Sequence, residues 1–272
     1  MQFEVNHMNR FENKVAVVTG GSSGIGRATA LAFAREGARV VIAARRPQPA
    51  LDTVKEIESA GGTAVFVQTD VSKSEDVERL IARAVETYGR LDCAFNNAAR
   101  TDEAIGPMAD LSEEDFDKTV SVNLKGVWLG MKYQIRQMLK QEPKGGVIVN
   151  TSSGNGLGGC PQASFYSATK AGIIALSKSA AWEYAKEGVR VNAFVAGAFR
   201  TPMLEGSMDR AAGGDHEARK AVEDRWMTMT AAGRIGDPAE AAEAVLWLCS
   251  DASSYVVGHS LIVDGGLTSL WR

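Results

Sequence analysis

Seven short runs rich in β-branched residues alternate with longer segments of helical periodicity along the 272-residue chain. They are KVAVVT from Lys14, ARVVIA from Ala38, TAVFVQ from Thr63, LDCAFN from Leu91, GVIVNT from Gly146, VRVNAFV from Val189 and SLIVD from Ser260. Nearly continuous apolarity over five to six residues is what a strand covered on both faces requires. Strand, helical crossover and strand in repetition imply a doubly wound parallel sheet of about seven strands between two helical layers, a three-layer α/β sandwich. Two helix starts are marked by capping boxes, Ser72 with Glu75 before VERLIARAVETYG, and Asp237 with Glu240 before AAEAVLWLCS. The interruption from about Pro202 to Gly233, rich in Met, Gly and charge, is expected to be a substrate lid in the form of a long loop.

A single domain over residues 14–272 suits this length, and residues 1–13 read as a loose N-terminal tail. The composition, 45% hydrophobic and 23% charged, excludes extensive disorder. With a formal net charge of -3 and Lys and Arg interspersed among Asp and Glu, no basic surface is available to a nucleic acid or an anionic membrane. Cys93, Cys160 and Cys249 are odd in number, far apart and form no C-x-x-C, so neither a disulfide framework nor a metal site is expected. The N-terminal residues lack the apolar core of a signal peptide, and no run approaches the roughly 18 apolar residues of a membrane helix. A cytoplasmic location is expected.

The stretch TGGSSGIG, Thr19 to Gly26, sits at the first strand-to-helix turn. There helix N-terminal amides face the crevice, and Gly20, Gly24 and Gly26 allow main chain to approach an anion such as a pyrophosphate. The spacing G-x-x-x-G-x-G is neither the G-x-G-x-x-G dinucleotide pattern nor a P-loop, which needs Lys-Ser or Lys-Thr after the last glycine. The same letters satisfy G-x-S-x-G, the nucleophile elbow of hydrolases, with Ser22 as nucleophile and His216 or His259 as base. An elbow needs an earlier βα loop to complete its oxyanion hole, and this turn follows the first strand.

TSSGNGLGGCPQASFYSATK, Thr151 to Lys170, carries a second constellation. Tyr166 and Lys170 are four apart on a helical segment, so phenol and ammonium share one face. A phenol with an ordinary pKa near 10 is a poor acid-base group at neutral pH, but an adjacent ammonium favours its phenolate. Ser153 ends the fifth strand, where its hydroxyl would open into the same crevice and could hold a substrate oxygen as charge develops on it. Together these three groups suit proton transfer coupled to hydride transfer on an alcohol or carbonyl.

With loop and triad in this order, the chain resembles the short-chain dehydrogenase/reductase family over about residues 11–266. TGGSSGIG is similar to its T-G-x-x-x-G-I-G cofactor loop, Tyr166 to Lys170 to its Y-x-x-x-K, and Ser153 lies thirteen positions before the tyrosine, as the family serine does. The resemblance implies a Rossmann-like single domain and a nicotinamide-dependent oxidoreductase acting on a small carbonyl or alcohol. It implies that Asn123 in SVNLKG helps hold a water in a proton relay reaching Lys170, that Lys170 bonds the nicotinamide ribose with Tyr166 also touching the cofactor, that Asp70 in TDV meets the adenine, and that Thr201 contacts the carboxamide. Cofactor contacts implied are Gly20, Ser22, Ser23, Gly24, Ile25 and Gly26 in the loop, then Asp70 and Val71, Asn97 and Ala98, and Thr201. The family forms dimers and tetramers through its fourth and fifth helices and C-terminal segment, so a homotetramer is expected. A fold-sharing protein that senses a dinucleotide without catalysis is the alternative, although such a sensor has no need of the proton-transfer set. Two departures stand out. Ala99 in NNAA occupies a usual glycine position beside the expected ribose path, and Ala196 in VAGAF a usual proline position near the nicotinamide.

Cofactor choice is readable after the second strand. An NAD site places Asp or Glu about 20 residues beyond the glycine loop to bind the ribose 2′-hydroxyl. That place falls at Ala44, and Arg45 and Arg46 follow with guanidinium groups suited to a 2′-phosphate. NADP is expected, with NAD as the alternative. The substrate wall is expected from Gly154 to Gln162, from Phe199, and from Met203, Met208, Trp226, Met227 and Met229 of the lid.

Overall fold

The computed structural model describes residues 9–100 and 104–269. All seven apolar runs are strands: β1 (Val15–Thr19), β2 (Arg39–Ala44), β3 (Thr63–Gln68), β4 (Cys93–Asn96), β5 (Gly146–Ser153), β6 (Val189–Ala196) and β7 (Ser260–Val263). They form one sheet in the order β3-β2-β1-β4-β5-β6-β7, parallel throughout. The first half of the chain winds outward from β1 and the second half outward from β4. The crevice therefore opens where β1 and β4 diverge at their carboxyl ends.

The crossovers are α1 (Gly24–Arg35), α2 (Pro47–Ser59), α3 (Ser74–Tyr88), α4 (Glu113–Thr119), α5 (Gly126–Lys140), α6 (Ser164–Tyr184), and later α7 (Pro202–Ala212), α8 (His216–Met229) and α9 (Pro238–Cys249). Alternation along each strand feeds two cores. Ala16, Val18, Val40 and Ile42 pack with α1 and α9, whereas Val15, Val17, Val41 and Ala43 pack with α3, α5 and α6. The central strands are buried on both faces, which is why their runs are nearly continuously apolar, whereas the edge strands β3 and β7 are partly exposed.

Three expectations are corrected. The segment expected as a loop-like lid is two helices. Thr201 caps α7 by accepting the Leu204 N–H at 3.3 Å, with Pro202 at its first position, and Asp215 caps α8 by accepting the Ala218 N–H at 2.7 Å. The Ser72–Glu75 capping box is absent, because α3 is preceded by Lys73 and the Ser72 hydroxyl instead donates to Asp70 Oδ1 at 2.7 Å. The Asp237–Glu240 box is formed. Residues 1–8 of the expected tail lie outside the described residues, but residues 9–13 form a packed turn. Phe11 is buried there, edge-on to Phe33 of α1 at 4.9 Å between ring centroids.

Candidate active site

At the end of β1 the glycine loop is folded back against the sheet, with the Gly20 N–H donated to the Ala43 carbonyl at 2.8 Å. Gly24 has φ +51°, a left-handed conformation that a side chain disfavours. A Cβ on Gly26 would overlap the Gly20 carbonyl oxygen, so α1 can start this close to the strand only with glycine there. The Thr19 hydroxyl accepts the N–H groups of Asn97 at 2.9 Å and Ala98 at 3.1 Å. One side chain thereby ties the loop after β1 to the loop after β4 across the crevice mouth.

Two cavities meet at this mouth. The larger, about 780 Å³, is lined by Gly20, Ser22, Ser23, Gly24 and Ile25, by Arg45 and Arg46, by Asp70 and Val71, and by Asn97, Ala98 and Thr201. Gly26 lies behind this wall. Asp70 holds its own turn, its Oδ1 accepting from the Ser72 N–H at 3.1 Å as well as from the Ser72 hydroxyl. The Arg45 and Arg46 side chains are exposed, and neither makes a hydrogen bond or ion pair with any of the described residues.

The smaller cavity, about 260 Å³, brings Ser153, Tyr166 and Lys170 together. Ser153 ends β5, and Tyr166 and Lys170 lie in the first two turns of α6, one helical turn apart. Lys170 is 2% exposed; its ammonium donates to the Thr151 carbonyl at 2.9 Å and stands 5.4 Å from the Tyr166 ring centroid. The Ser152 hydroxyl, donating to the Lys170 carbonyl at 2.8 Å, fastens α6 to β5 at that level. Ile25, Asn97, Ala99, Thr201 and Met203 line both cavities, which therefore adjoin at this shared wall.

Asn123 lines neither cavity. It is buried in a stretch of π-helix, Val120–Lys125, between α4 and α5, and its Oδ1 accepts the Arg100 N–H at 2.9 Å. Such widened turns are enriched at functional sites. Of the expected substrate wall, Gly154, Asn155, Phe199, Met203 and Trp226 line the smaller cavity, whereas residues 156–162 do not. Met208 is buried inside the lid, and Met227 and Met229 do not reach the cavity. Neither histidine expected as a base lines the cavity that Ser22 lines: His259 sits before β7, at the amino end of the sheet, and His216 is exposed at the start of α8.

Sequence reasoning missed Arg100 and Leu267 in the smaller cavity, and Thr69 and Val122 in the larger. Arg100 directly follows NNAA, a position that could have been inspected; Leu267 is brought in only by the turn after β7.

The family model described as Enoyl-(Acyl carrier protein) reductase matches residues 20–268. A 2,5-dichloro-2,5-cyclohexadiene-1,4-diol dehydrogenase from Sphingobium indicum is 40% identical over 263 residues, covering 97% of this chain and 100% of that protein. A cyclohexanol dehydrogenase from an Acinetobacter species is 37% identical over 261 residues, covering 96% of this chain and 97% of that protein. Among solved structures, that of levodione reductase superposes with a TM-score of 0.90 at 34% identity, covering 96% of this chain and 100% of that one. The chain belongs to the short-chain dehydrogenase/reductase family of oxidoreductases.

Proposed function

We propose that the protein interconverts a secondary alcohol and a ketone with NADP(H) as the preferred cofactor, using Tyr166 as general acid-base. The observation that supports this reading is the wall shared by the two cavities: Ser153, Tyr166 and Lys170 line the one that adjoins the glycine-lined groove. The groove suits a dinucleotide: its glycines leave main chain bare where a pyrophosphate needs close approach, and its rim carries two arginines with no partner among the described residues. When bound, the nicotinamide supplies or takes up the hydride. Ser153 holds the substrate oxygen, and Tyr166 gives that oxygen a proton in reduction or takes one in oxidation. The buried Lys170 ammonium favours the phenolate, and Asn123 holds a water through which Lys170 exchanges its proton.

The substrate proposed is a six-membered carbocyclic alcohol or ketone. Two similar proteins carry names for ring substrates of that kind, and the smaller cavity is walled by Phe199, Leu204, Trp226 and Leu267 around the triad. The arginines favour a 2′-phosphate by a charge-assisted contact worth about 1.5–3 kcal/mol, roughly a ten- to hundredfold preference in kcat/KM. A panel of cyclic alcohols and ketones followed by nicotinamide absorbance with both cofactors tests this, together with Tyr166→Phe. That variant is expected to lose about two orders of magnitude in kcat while still binding cofactor; near-normal turnover ends the mechanism.

The same reading extends to a closed homotetramer in the cytoplasm. Trp128 on α5 and Trp182 on α6 are 45% and 89% exposed, large apolar surfaces that symmetric association would cover. Light scattering returning the 29.0 kDa monomer mass at micromolar concentration refutes it.

A further inference from the structure

The outer end of the larger cavity is bounded by two separate corners, Arg45–Arg46 after β2 and Asp70–Val71 after β3. Behind them runs a chain of hydrogen bonds from residues that do not line the cavity. Gln68 Nε2 donates to the Arg45 carbonyl at 3.0 Å, and the Gln68 carbonyl accepts from the Arg79 guanidinium at 3.3 Å. Arg79 pairs with Asp76 Oδ1 at 2.9 Å, and Asp76 Oδ2 accepts the Asp70 N–H at 2.9 Å. The last strand residue of β3 and the first turns of α3 thus connect the main chain of one corner to the main chain of the other.

The start of α2 explains why the Arg45 corner needs support. Helix N-termini bind anions through their free amides. Here Arg46 precedes the helix and Pro47 and Pro49 occupy its first and third positions, so of the first three residues only Gln48 has an N–H to offer. With so few free amides, an anion at this corner depends chiefly on side chains, and an exposed guanidinium is more selective when its backbone is fixed.

We propose that Gln68 is a positioning residue for recognition of the cofactor's 2′-phosphate, holding Arg45 in place, while Asp76 positions the Asp70 corner against the adenine. The assignment rests on the NADP reading above for the identity of the group at Arg45. Asp76 is kept ionised at neutral pH, its carboxyl held below the ordinary range chiefly by the Asp70 N–H.

The test measures fragment binding by titration calorimetry on the full chain, with adenosine 2′,5′-bisphosphate and adenosine 5′-monophosphate as probes. Their affinity ratio isolates the 2′-phosphate. Gln68→Leu is expected to weaken the bisphosphate about three- to tenfold and the monophosphate less than about twofold. Asp76→Ala is expected to weaken both probes by similar factors and leave the ratio unchanged. In an Arg45→Ala background, where the ratio itself collapses, Gln68→Leu should have no further effect on it, a coupling that loss of general stability does not produce. Gln68 is exposed, so its variants keep the core intact. If Arg45→Ala leaves the ratio unchanged, the NADP reading fails and this proposal with it. If Arg45→Ala collapses the ratio but Gln68→Leu does not move it, or moves it equally in both backgrounds, only the positioning role is overturned.

Discussion

The glycine-loop half of the crevice and the lid half are built from opposite materials. In the first, α1 buries Gly26, Thr29, Ala30, Ala32 and Phe33, and β1 and β4 are buried along their whole length. In the second, α8 buries no residue and α7 buries only Met208 and Ala212. What holds the lid together is charge: Arg219 contacts Asp209, Glu205 and Glu223, and Arg200 contacts Glu205 and Glu223. Exposed pairs of this kind each contribute little and weaken with salt. The first half is a densely buried cradle, and the second has the few buried contacts that accompany low local stability.

The largest effect expected from breaking the cradle comes from Gly26→Ala. The added methyl runs into the Gly20 carbonyl, a main-chain atom that cannot turn aside. Overpacking of this kind costs about 1–3 kcal/mol, and relieving it displaces the loop that a dinucleotide must touch. Thermal unfolding should fall and dinucleotide binding, measured by fluorescence, should weaken more than about tenfold. Retention of full affinity shows that the close contact between α1 and β1 is not what shapes the groove.

A smaller effect, in a different observable, is expected from the lid. Arg219→Gln removes three ion pairs at once, yet none of them spans the core. The melting temperature should stay within a degree or two, while KM for the substrate rises about two- to fivefold, in keeping with the modest strength of surface pairs. Raising salt on the unmodified enzyme should move KM in the same direction. A large drop in melting temperature with KM unchanged reverses the contrast drawn between the halves.

Legibility in the sequence divides along the same line. Strands, glycine loop, Ser153 and the Tyr166–Lys170 pair are written in local signals: apolar runs, bare glycines, one helical turn of spacing. The lid lacks an apolar stripe because it buries so little, so its helices look like loop, even though Thr201-Pro202 and Asp215 are ordinary start signals. Ser72 misleads for the opposite reason. It has the right neighbour for a capping box but finds a nearer partner in Asp70. Thr19 opens the glycine-loop motif, but its bonds to the loop after β4 are tertiary, set by the meeting of β1 with β4, and Leu267 is brought to the cavity only by the turn after β7, which no spacing announces.

The smallest effect is expected at the joint between the halves. Arg234, just past the lid, makes two hydrogen bonds to the Glu240 carboxylate at 2.7 and 2.6 Å, and Glu240 Oε2 also accepts the Asp237 N–H at 2.8 Å. Asp237 in turn caps α9 through the Ala239 N–H at 2.8 Å, and α9 packs on α1 in the cradle. The Arg234 guanidinium, with the Asp237 N–H second, holds the Glu240 carboxyl down at about 2, from an ordinary 4.5. Because the folded-state value is depressed, the contribution of Glu240 is fully present above the unfolded value and is lost as pH falls from about 4.5 through about 2. Carbon-detected titration of the Glu240 side chain should give a midpoint near that lower value, and Arg234→Gln should return it most of the way to 4.5. Asp237→Ala should cost about 1 kcal/mol through the lost cap, measured by denaturant unfolding at neutral pH. Glu240→Gln should cost less than that, since the box keeps its Asp237 half and an exposed pair is well solvated without its partner. If the Glu240 substitution proves the more damaging of the two, the joint is held by charge rather than by the cap, and α9 belongs energetically with the lid.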